Sequence, residues 1–344
     1  MDILLSRDDF RNGVFDRDGH KCVICGAPAV DAHHIIDRRL FPDGGYYLNN
    51  GASVCEAHHL LAESTELSCE DIRKAAGISS IILPPHLYED AEYDKWGNEI
   101  LKSGNRLQGE LFDDPSVQKI IEPVLHLFTN RVKYPRTYHL PWSPGMSKDD
   151  RQIENVDLFL GREIVITEKM DGENTTWYKD YTHARSIDSG SHPSRNWMKN
   201  FWAQRGYNIP EGWRVCGENL YAKHSIHYSE ENNNQLSSYF YMFSIWDHSN
   251  ICLSWDETEE WSELLEIPLV PVIYRGFYDQ NFIDNLNKQM ENSKNRIEGY
   301  VLRIADEFHY SEFRRSVAKY VRASHVQNNH GHWSQSKITK NELK

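Results

Sequence analysis

The sequence predicts an α+β protein of two domains joined by an accessory segment. Three observations carry this. At 344 residues the chain exceeds the roughly 100–200 residues typical of one domain. Residues 1–76 concentrate Cys, His and Gly, including Cys22-Val-Ile-Cys25 and Cys55-Glu-Ala-His58. From about residue 134 the texture changes to recurrent β-like runs: REIVITEKM, WRVCGENLYA, SSYFYMFSIWD, LVPVIY, GYVLRIA and SVAKYVRA. Such runs, separated by turns and short helical patterns, predict a large antiparallel sheet domain over 134–344.

Composition narrows the class. Hydrophobic residues make up 39% and aromatics 12%, enough for packed cores, so a wholly disordered chain is excluded. No apolar run approaches the roughly 20 residues of a membrane helix. Arg7, Asp8 and Asp9 stand where a secretion signal would carry its apolar core, so a cytoplasmic protein is expected. Four of the six cysteines precede residue 70. Without a secretion signal, that pattern favours metal over disulfides. The net charge of -13 counts against a general polyanion binder. Yet residues 311–344 hold seven Lys/Arg against two Asp/Glu, a basic strip able to meet a phosphate backbone.

Local signals place further elements. Ser68 with Asp71 three residues on predicts a capped helix that Gly77 stops. Pro84-Pro85 reads as extended chain, and 77–133 as a connector holding an amphipathic helix from about Ser116 to Asn130.

The first chemical constellation is N-terminal. Cys22, Cys25, Cys55 and His58 form a CxxC and a CxxH pair, a donor set that suits tetrahedral structural Zn2+. A unit this small would gain much of its stability from the metal. Cys69 lies outside both pairs and reads as a buried thiol. The remaining residues are His33-His34, Asn50 and His59. Two knuckles, a paired HH and a further His resemble the ββα-metal module of HNH endonucleases, over about residues 8–65. That resemblance implies His34 as general base, Asn50 as the brace of the hairpin loop, and His33 with His59 as ligands of Mg2+ or Mn2+ at the scissile phosphate. The family often has an acidic residue at the position of His33. A zinc module that only binds nucleic acid, or is purely structural, stays open.

The second constellation is an ordered series: Thr167-Glu168-Lys169-Met170-Asp171-Gly172, then His183-Ala184-Arg185, Cys216-Gly217-Glu218-Asn219, Phe243-Ser244-Ile245-Trp246, Glu298-Gly299-Tyr300 and Ala318-Lys319-Tyr320. Alone, KxDG is weak. The whole series over about 134–333 resembles the covalent nucleotidyltransferases, and among them the ATP-dependent RNA ligases. The resemblance implies ATP as cofactor and a covalent AMP on Lys169. Lys319 would neutralise charge as pyrophosphate leaves, and Glu298 would hold Mg2+ or Mn2+. Glu218 and Arg185 would fix the ribose, Phe243 would stack on adenine and Glu168 would help to read it. Tyr241 competes with Phe243 as the platform. A lysine nucleophile must be neutral, so nearby cations and desolvation are expected to lower the Lys169 pKa.

Trp177, Trp197 and Trp213 are expected in the core, Arg322 in an ion pair, and His224 and His227 in structural positions or near an RNA end. Ligases of this kind often carry a domain after the last motif. Here 25 residues follow Lys319, among them Asn328, His332, Trp333, Lys337, Lys340 and Lys344. The substrate-specific element is therefore expected within 1–133.

The leading expectation is a ligase that joins 5′-phosphate to 3′-hydroxyl RNA ends. It would be fused to a metal-dependent HNH endonuclease acting on RNA or DNA, in repair or defence. A DNA ligase or capping-type guanylyltransferase shares the lysine chemistry, but no OB-fold is recognisable after the last motif. A binding protein with one inert centre is the third reading.

Overall fold

The computed structural model describes residues 3–147, 150–291, 297–323 and 338–344. Asn328, His332, Trp333 and Lys337 lie outside the described residues. The chain divides into two compact units, the first ending at Val132 and the second running from Lys133 to Lys344.

In the first unit, helix α1 (Arg7–Arg17) starts at Ser6, whose hydroxyl accepts the Asp9 N–H. Strands β1 (Asp31–His34) and β2 (Gly51–Val54) form an antiparallel pair with His33 opposite Ala52. Helix α2 (Glu56–Glu63) follows directly from Cys55. Helix α3 (Cys69–Ala76) has the expected Ser68/Asp71 capping box, and Gly77 ends it in the left-handed conformation that glycine adopts without steric cost. Strands β3 (Glu92–Tyr93), β4 (Glu99–Ile100) and β5 (Arg106–Leu107) form a small antiparallel meander. Helix α4 (Pro115–Ile121) gives way to a 3-10 turn over Glu122–Leu127, shorter than the helix expected to Asn130. Pro123 is the reason, since it lacks an N–H and its ring disfavours a continuing helix.

Residues 77–132 are more than a connector. Leu87 and Tyr93 share one core with Ile35, Ile36, Ala52 and Ile72. A second small core joins Trp96 to Val117 and Ile121.

The second unit is built on two sheets. Its elements are β6 (Tyr138–His139), β7 (Glu163–Lys169), β8 (Glu173–Trp177), β9 (Thr182–Ala184), α5 (Asn196–Ala203), β10 (Arg214–Asn219), β11 (Phe240–Trp246), β12 (Ile251–Cys252), α6 (Trp255–Leu264), β13 (Val272–Phe277), α7 (Gln280–Glu291), β14 (Gly299–Ile304), β15 (Phe308–His309), α8 (Phe313–Ser316) and β16 (Val317–Val321). One sheet has the order β15-β12-β11-β10-β8-β9 and the other β13-β7-β14-β16-β6. All the pairings are antiparallel except β16 with β6, so the α+β expectation of antiparallel sheets holds. All six β-like runs contain strands.

The main core lies between the sheets. Ile164, Ile166, Tyr300 and Leu302 from one meet Cys216 and Trp246 from the other. Trp177, Val215, Phe240, Met242 and Ile245 turn the opposite way, onto Met198 of α5 and the segment after α6. Trp177 is thus core, as expected, and Trp213 packs against Trp261. Among the described residues, no helix is long and apolar enough to cross a membrane.

Candidate functional site

The first unit gathers its Cys and His side chains into two clusters. Cys22, Cys25, Cys55 and His58 present ligand atoms that all lie within 4.8 Å of one another. Cys25 and Cys55 Sγ are 3.8 Å apart, and His58 Nδ1 lies 3.6 Å from Cys22 Sγ and 3.1 Å from Cys55 Sγ. With Zn–S near 2.3 Å and Zn–N near 2.0 Å, a tetrahedron has edges of about 3.8 Å (S to S) and about 3.5 Å (S to N). The donor set therefore fits a zinc ion.

The second cluster is Asp31, His33 and His59. His59 Nδ1 lies 3.1 Å from Asp31, and both His33 and His59 lie 3.7 Å from Glu63 Oε1. His33 is 1% exposed, and neither ring nitrogen has a hydrogen-bond partner among the described residues. Buried polar atoms are nearly always paired, so this ring fits a ligand for a cation. Asp31 and Glu63 were not singled out in the sequence. Nor was Lys95, whose ammonium reaches Glu63 from the β3–β4 turn. Burial, with Lys95 next, pushes the His33 imidazole well below its ordinary range.

His34 follows on the other face of β1, stacked on Phe10 at 4.4 Å and edge-on to Tyr46 at 5.1 Å. Burial and then Lys95 lower its pKa to about 4, so the ring is neutral at pH 7. Asn50 is fully internal. Its carbonyl accepts the Ile36 N–H at 3.0 Å, and its amide donates to Ile36 O at 3.0 Å and Gly45 O at 3.1 Å. It ties together the two ends of the 36–45 loop. Cys69 is a buried thiol against the Ile35 carbonyl, pushed up by burial.

The second unit brings the predicted ligase residues to neighbouring strand ends. Lys169 closes β7, paired across the ladder with Gly299 at the start of β14. Its Nζ lies 2.6 Å from Glu298 Oε1. A side chain at Gly299 would collide with the Tyr320 carbonyl, so glycine is required there. After Lys169 the chain turns through Met170, Asp171 and Gly172. The Gly172 N–H donates to Glu218 Oε1 at 3.1 Å, and a methyl at Gly172 would sit 2.5 Å from the Asn219 carbonyl oxygen.

The electrostatics differ from the expectation. Lys169 is pushed up, not down: burial opposes its charge, but Glu298, Glu218 and Asp171 outweigh that penalty. Carboxylates surround the amine where cations were expected. Burial in turn raises Glu218 to about 8 and Glu168 to about 7. This crowding of buried carboxylates around one ammonium suits a divalent cation.

Lys319 sits on β16. Burial lowers its pKa, Asp150 opposes that, and the charge of Lys169 lowers it further, which places the two amines in one field. Its Nζ donates to Asp150 at 3.1 Å, and Asp150 also lies 3.3 Å from His139 Nε2. His139 is opposite Lys319 in the parallel β6–β16 pair. Neither His139 nor Asp150 was identified from the sequence.

Phe243 occupies a β-bulge. Cys216 pairs with Ser244 and Gly217 with Met242, leaving Phe243 as the extra residue. The bulge puts it half-buried between two cores and edge-on to Tyr134 at 5.2 Å. Tyr241 is buried, its hydroxyl accepting the Ser237 N–H at 2.7 Å. Arg185 is exposed, just past the end of β9. Arg322 is buried: its guanidinium donates to the Ile297 carbonyl and its N–H to Glu298 O at 3.1 Å. It thereby braces the Glu298 segment.

Comparison with solved structures finds an archaeal ATP-dependent RNA ligase (14% identity, 57% of this chain and 49% of that one, TM-score 0.39). A Naegleria gruberi RNA ligase variant with AMP and Mn also matches (15% identity, 58% and 59%, TM-score 0.39). So does an Aquifex aeolicus protein provisionally named an ATP-dependent DNA ligase (18% identity, 57% and 51%, TM-score 0.39). The chain spans about half the length of these proteins. No curated protein matches it. A family model described as RNA ligase matches residues 162–321, the span that contains Lys169, Arg185, Glu218, Phe243, Glu298 and Lys319.

Proposed function

We propose that the second unit is an ATP-dependent RNA ligase with Lys169 as its nucleophile. The observation that carries this reading is the Lys169–Glu298 pair at 2.6 Å, with Glu218 and Lys319 in the same field, inside the RNA ligase match. Lys169 sheds one proton to solvent and its nitrogen attacks the α-phosphorus of ATP. A P–N bond forms, the bond to the β-phosphate oxygen breaks, pyrophosphate leaves, and the nitrogen loses a second proton. Lys319 neutralises the charge that develops on the phosphates. Glu298 would hold a divalent cation, which would supply charge screening at the phosphates, and a Glu298 so engaged would no longer pair with Lys169. Glu218 braces the turn after the nucleophile and faces the ribose with Arg185, while Phe243 offers a face for adenine. A 5′-phosphate oxygen of RNA then displaces Lys169, and a 3′-hydroxyl displaces AMP. Intact-mass measurement after ATP and magnesium tests the first step. An AMP adduct on wild type and none on Lys169→Ala is expected. No adduct with ATP or GTP, on protein shown to be free of prior adenylation, overturns the reading.

The first unit supports a second proposal, a metal-dependent HNH nuclease centre on a structural zinc site. Its observation is the buried His33, whose ring nitrogens have no hydrogen-bond partner among the described residues, beside Asp31 and His59. His33, His59 and Asp31 would hold the cation, and neutral His34 would accept a proton from water. Metal-dependent nicking by wild type and not by His34→Ala is expected, on RNA or DNA. Equal nicking by both proteins overturns it, because the cleavage then comes from a contaminant or from a different site.

A further inference from the structure

Residues 338–344 follow the last strand of the ligase-like sheets, beyond the span of the family match. They dock on the loop between β10 and β11. Lys223 donates its N–H to Thr339 O at 2.7 Å, Leu236 to Glu342 O at 3.0 Å and Glu342 to Tyr228 O at 2.8 Å. The hub is Asn341, which is 1% exposed. Its side-chain carbonyl accepts the Tyr228 N–H at 3.0 Å, and its amide donates to Leu220 O at 2.8 Å. Its backbone N–H donates to Tyr221 O at 3.1 Å, and its backbone carbonyl accepts the Tyr239 hydroxyl at 3.0 Å.

The same loop grips the turn after Lys169. The Asp171 N–H donates to the Tyr228 hydroxyl at 3.0 Å, and the Ile226 N–H donates to Asp171 Oδ2 at 2.5 Å. Tyr228 is also 1% exposed. Two buried hydrogen bonds, one at the Tyr228 N–H and one at its hydroxyl, therefore link Asn341 to Asp171 through the Tyr228 side chain, two residues from Lys169. In a low-dielectric interior such a chain fixes geometry, because each unpaired member would be costly.

We infer that residues 338–344 are a strut for the nucleophile turn, with Asn341 and Tyr228 as positioning residues for Lys169. The inference rests on the reading of Lys169 as the adenylated residue. A nucleophile displaced by about 1 Å can lose on the order of 100-fold in rate, so a strut at this distance from the chemistry has leverage.

The test uses full-length wild type, Asn341→Ala and Tyr228→Phe, with two readouts. Hydrogen exchange reports the Asp171 and Gly172 amides without reference to activity, and single-turnover adenylation reports rate and ATP affinity separately. Asn341→Ala should accelerate exchange at both amides and slow adenylation by about 10- to 100-fold, with ATP affinity changed by less than about threefold. Tyr228→Phe keeps the amide that Asn341 holds but loses the acceptor for Asp171. It should reproduce both effects while residues 338–344 keep their protection. Should Asn341→Ala fail to fold, this variant tests the Tyr228–Asp171 link, and Asn341→Asp, which keeps the acceptor for Tyr228 but loses the donor to Leu220, tests the Asn341 end. Unchanged exchange at Asp171 and Gly172 overturns the inference, as does a rate loss that merely tracks weakened ATP binding. If wild type forms no adduct, the reading of Lys169 fails, and the strut stands or falls on exchange alone.

Discussion

Lys169 Nζ and Glu298 Oε1, 2.6 Å apart, bind each other before any substrate arrives. An amine held as an ammonium by a carboxylate is not a nucleophile. On the proposed reading of Lys169 as nucleophile, the resting pair would keep it unreactive until something else claims Glu298. A lysine activated in advance by neighbouring cations, which the sequence suggested, would lack this control.

Replacing Glu298 by Gln separates the two roles of the carboxylate. In ligand-free protein the Lys169 pKa should fall, since the largest charge supporting its ammonium is gone. Labelling of Lys169 by an amine-selective reagent should then begin at lower pH than in wild type. Adenylation should nevertheless drop by about 100-fold or more, because the group that organises charge at the phosphates is lost. Labelling at the wild-type pH would contradict the assignment.

Asp150 is bracketed by Lys319 and His139. Burial opposes its charge, but His139, the Ser147 N–H and hydroxyl and Lys319 together hold its carboxyl below the usual carboxylate range, so it is anionic throughout the working pH. In Asp150→Asn, Lys319 loses the charge that opposes its desolvation. Its ammonium should deprotonate at lower pH, and the alkaline limb of the adenylation profile should move down with it. An unmoved alkaline limb would mean that Asp150 does not govern Lys319.

The sequence made part of this visible. TEKMDG ends a strand because β-branched Ile164, Val165, Ile166 and Thr167 lead into a glycine turn, and both signals are local. Ser68, Asp71 and Gly77 delimit a helix by hydrogen bonds within one turn. What escaped is what depends on distant partners. Asp150 meets Lys319 because β6 adds to the sheet in parallel, 180 residues from its partner strand in register though with no repeating pattern to announce it. Lys95 reaches Glu63 from a turn in a segment read as a connector. The bulge at Phe243 leaves no mark in the β-like run that holds it. Asn341, in a stretch read only for its lysines, proved to be a buried hub.

Asn50 offers a stability test independent of metal. Its three hydrogen bonds serve the Ile36 N–H, Ile36 O and Gly45 O, all in the interior of the first unit. Asn50→Ala leaves these groups unpaired at about 1–3 kcal/mol each before relaxation. The denaturation midpoint of the first unit should fall clearly even with zinc in excess. Asn50→Asp keeps the acceptor alone and should recover only part of the loss. A variant as stable as wild type would show that the 36–45 loop holds itself.

Zinc should be inseparable from folding in the first unit. Four ligands that only the folded chain assembles turn metal affinity into folding free energy, an apparent 10–16 kcal/mol or so for small zinc modules near neutral pH. That is comparable with the whole stability of a domain, roughly 5–15 kcal/mol. Cys55→Ala, or a strong chelator, should abolish the cooperative transition of the first unit and release one zinc per chain by colorimetric assay. The transition of the second unit should persist, because its cores contain none of the four ligands. A cooperative first-unit transition that survives complete zinc removal would make the metal dispensable.

Glu168 gives a pH signature with a definite sign. Burial raises its folded pKa to about 7, above the ordinary value of 4.5 for Glu. The folded state therefore binds this proton more tightly than the unfolded chain. Below the unfolded pKa the group is protonated in both states and imposes no penalty. As pH rises toward about 7 the unfolded chain ionises first, so stability declines across that window and then levels off. Glu218, raised to about 8 by burial, extends the same decline to higher pH. In Glu168→Gln the neutral side chain is indifferent to pH. Urea midpoints of variant and wild type should agree near pH 4.5 and diverge upward in favour of the variant by pH 7, while the wild-type curve alone carries the extra slope. Parallel curves across that window would mean that Glu168 is already hydrated in the folded protein.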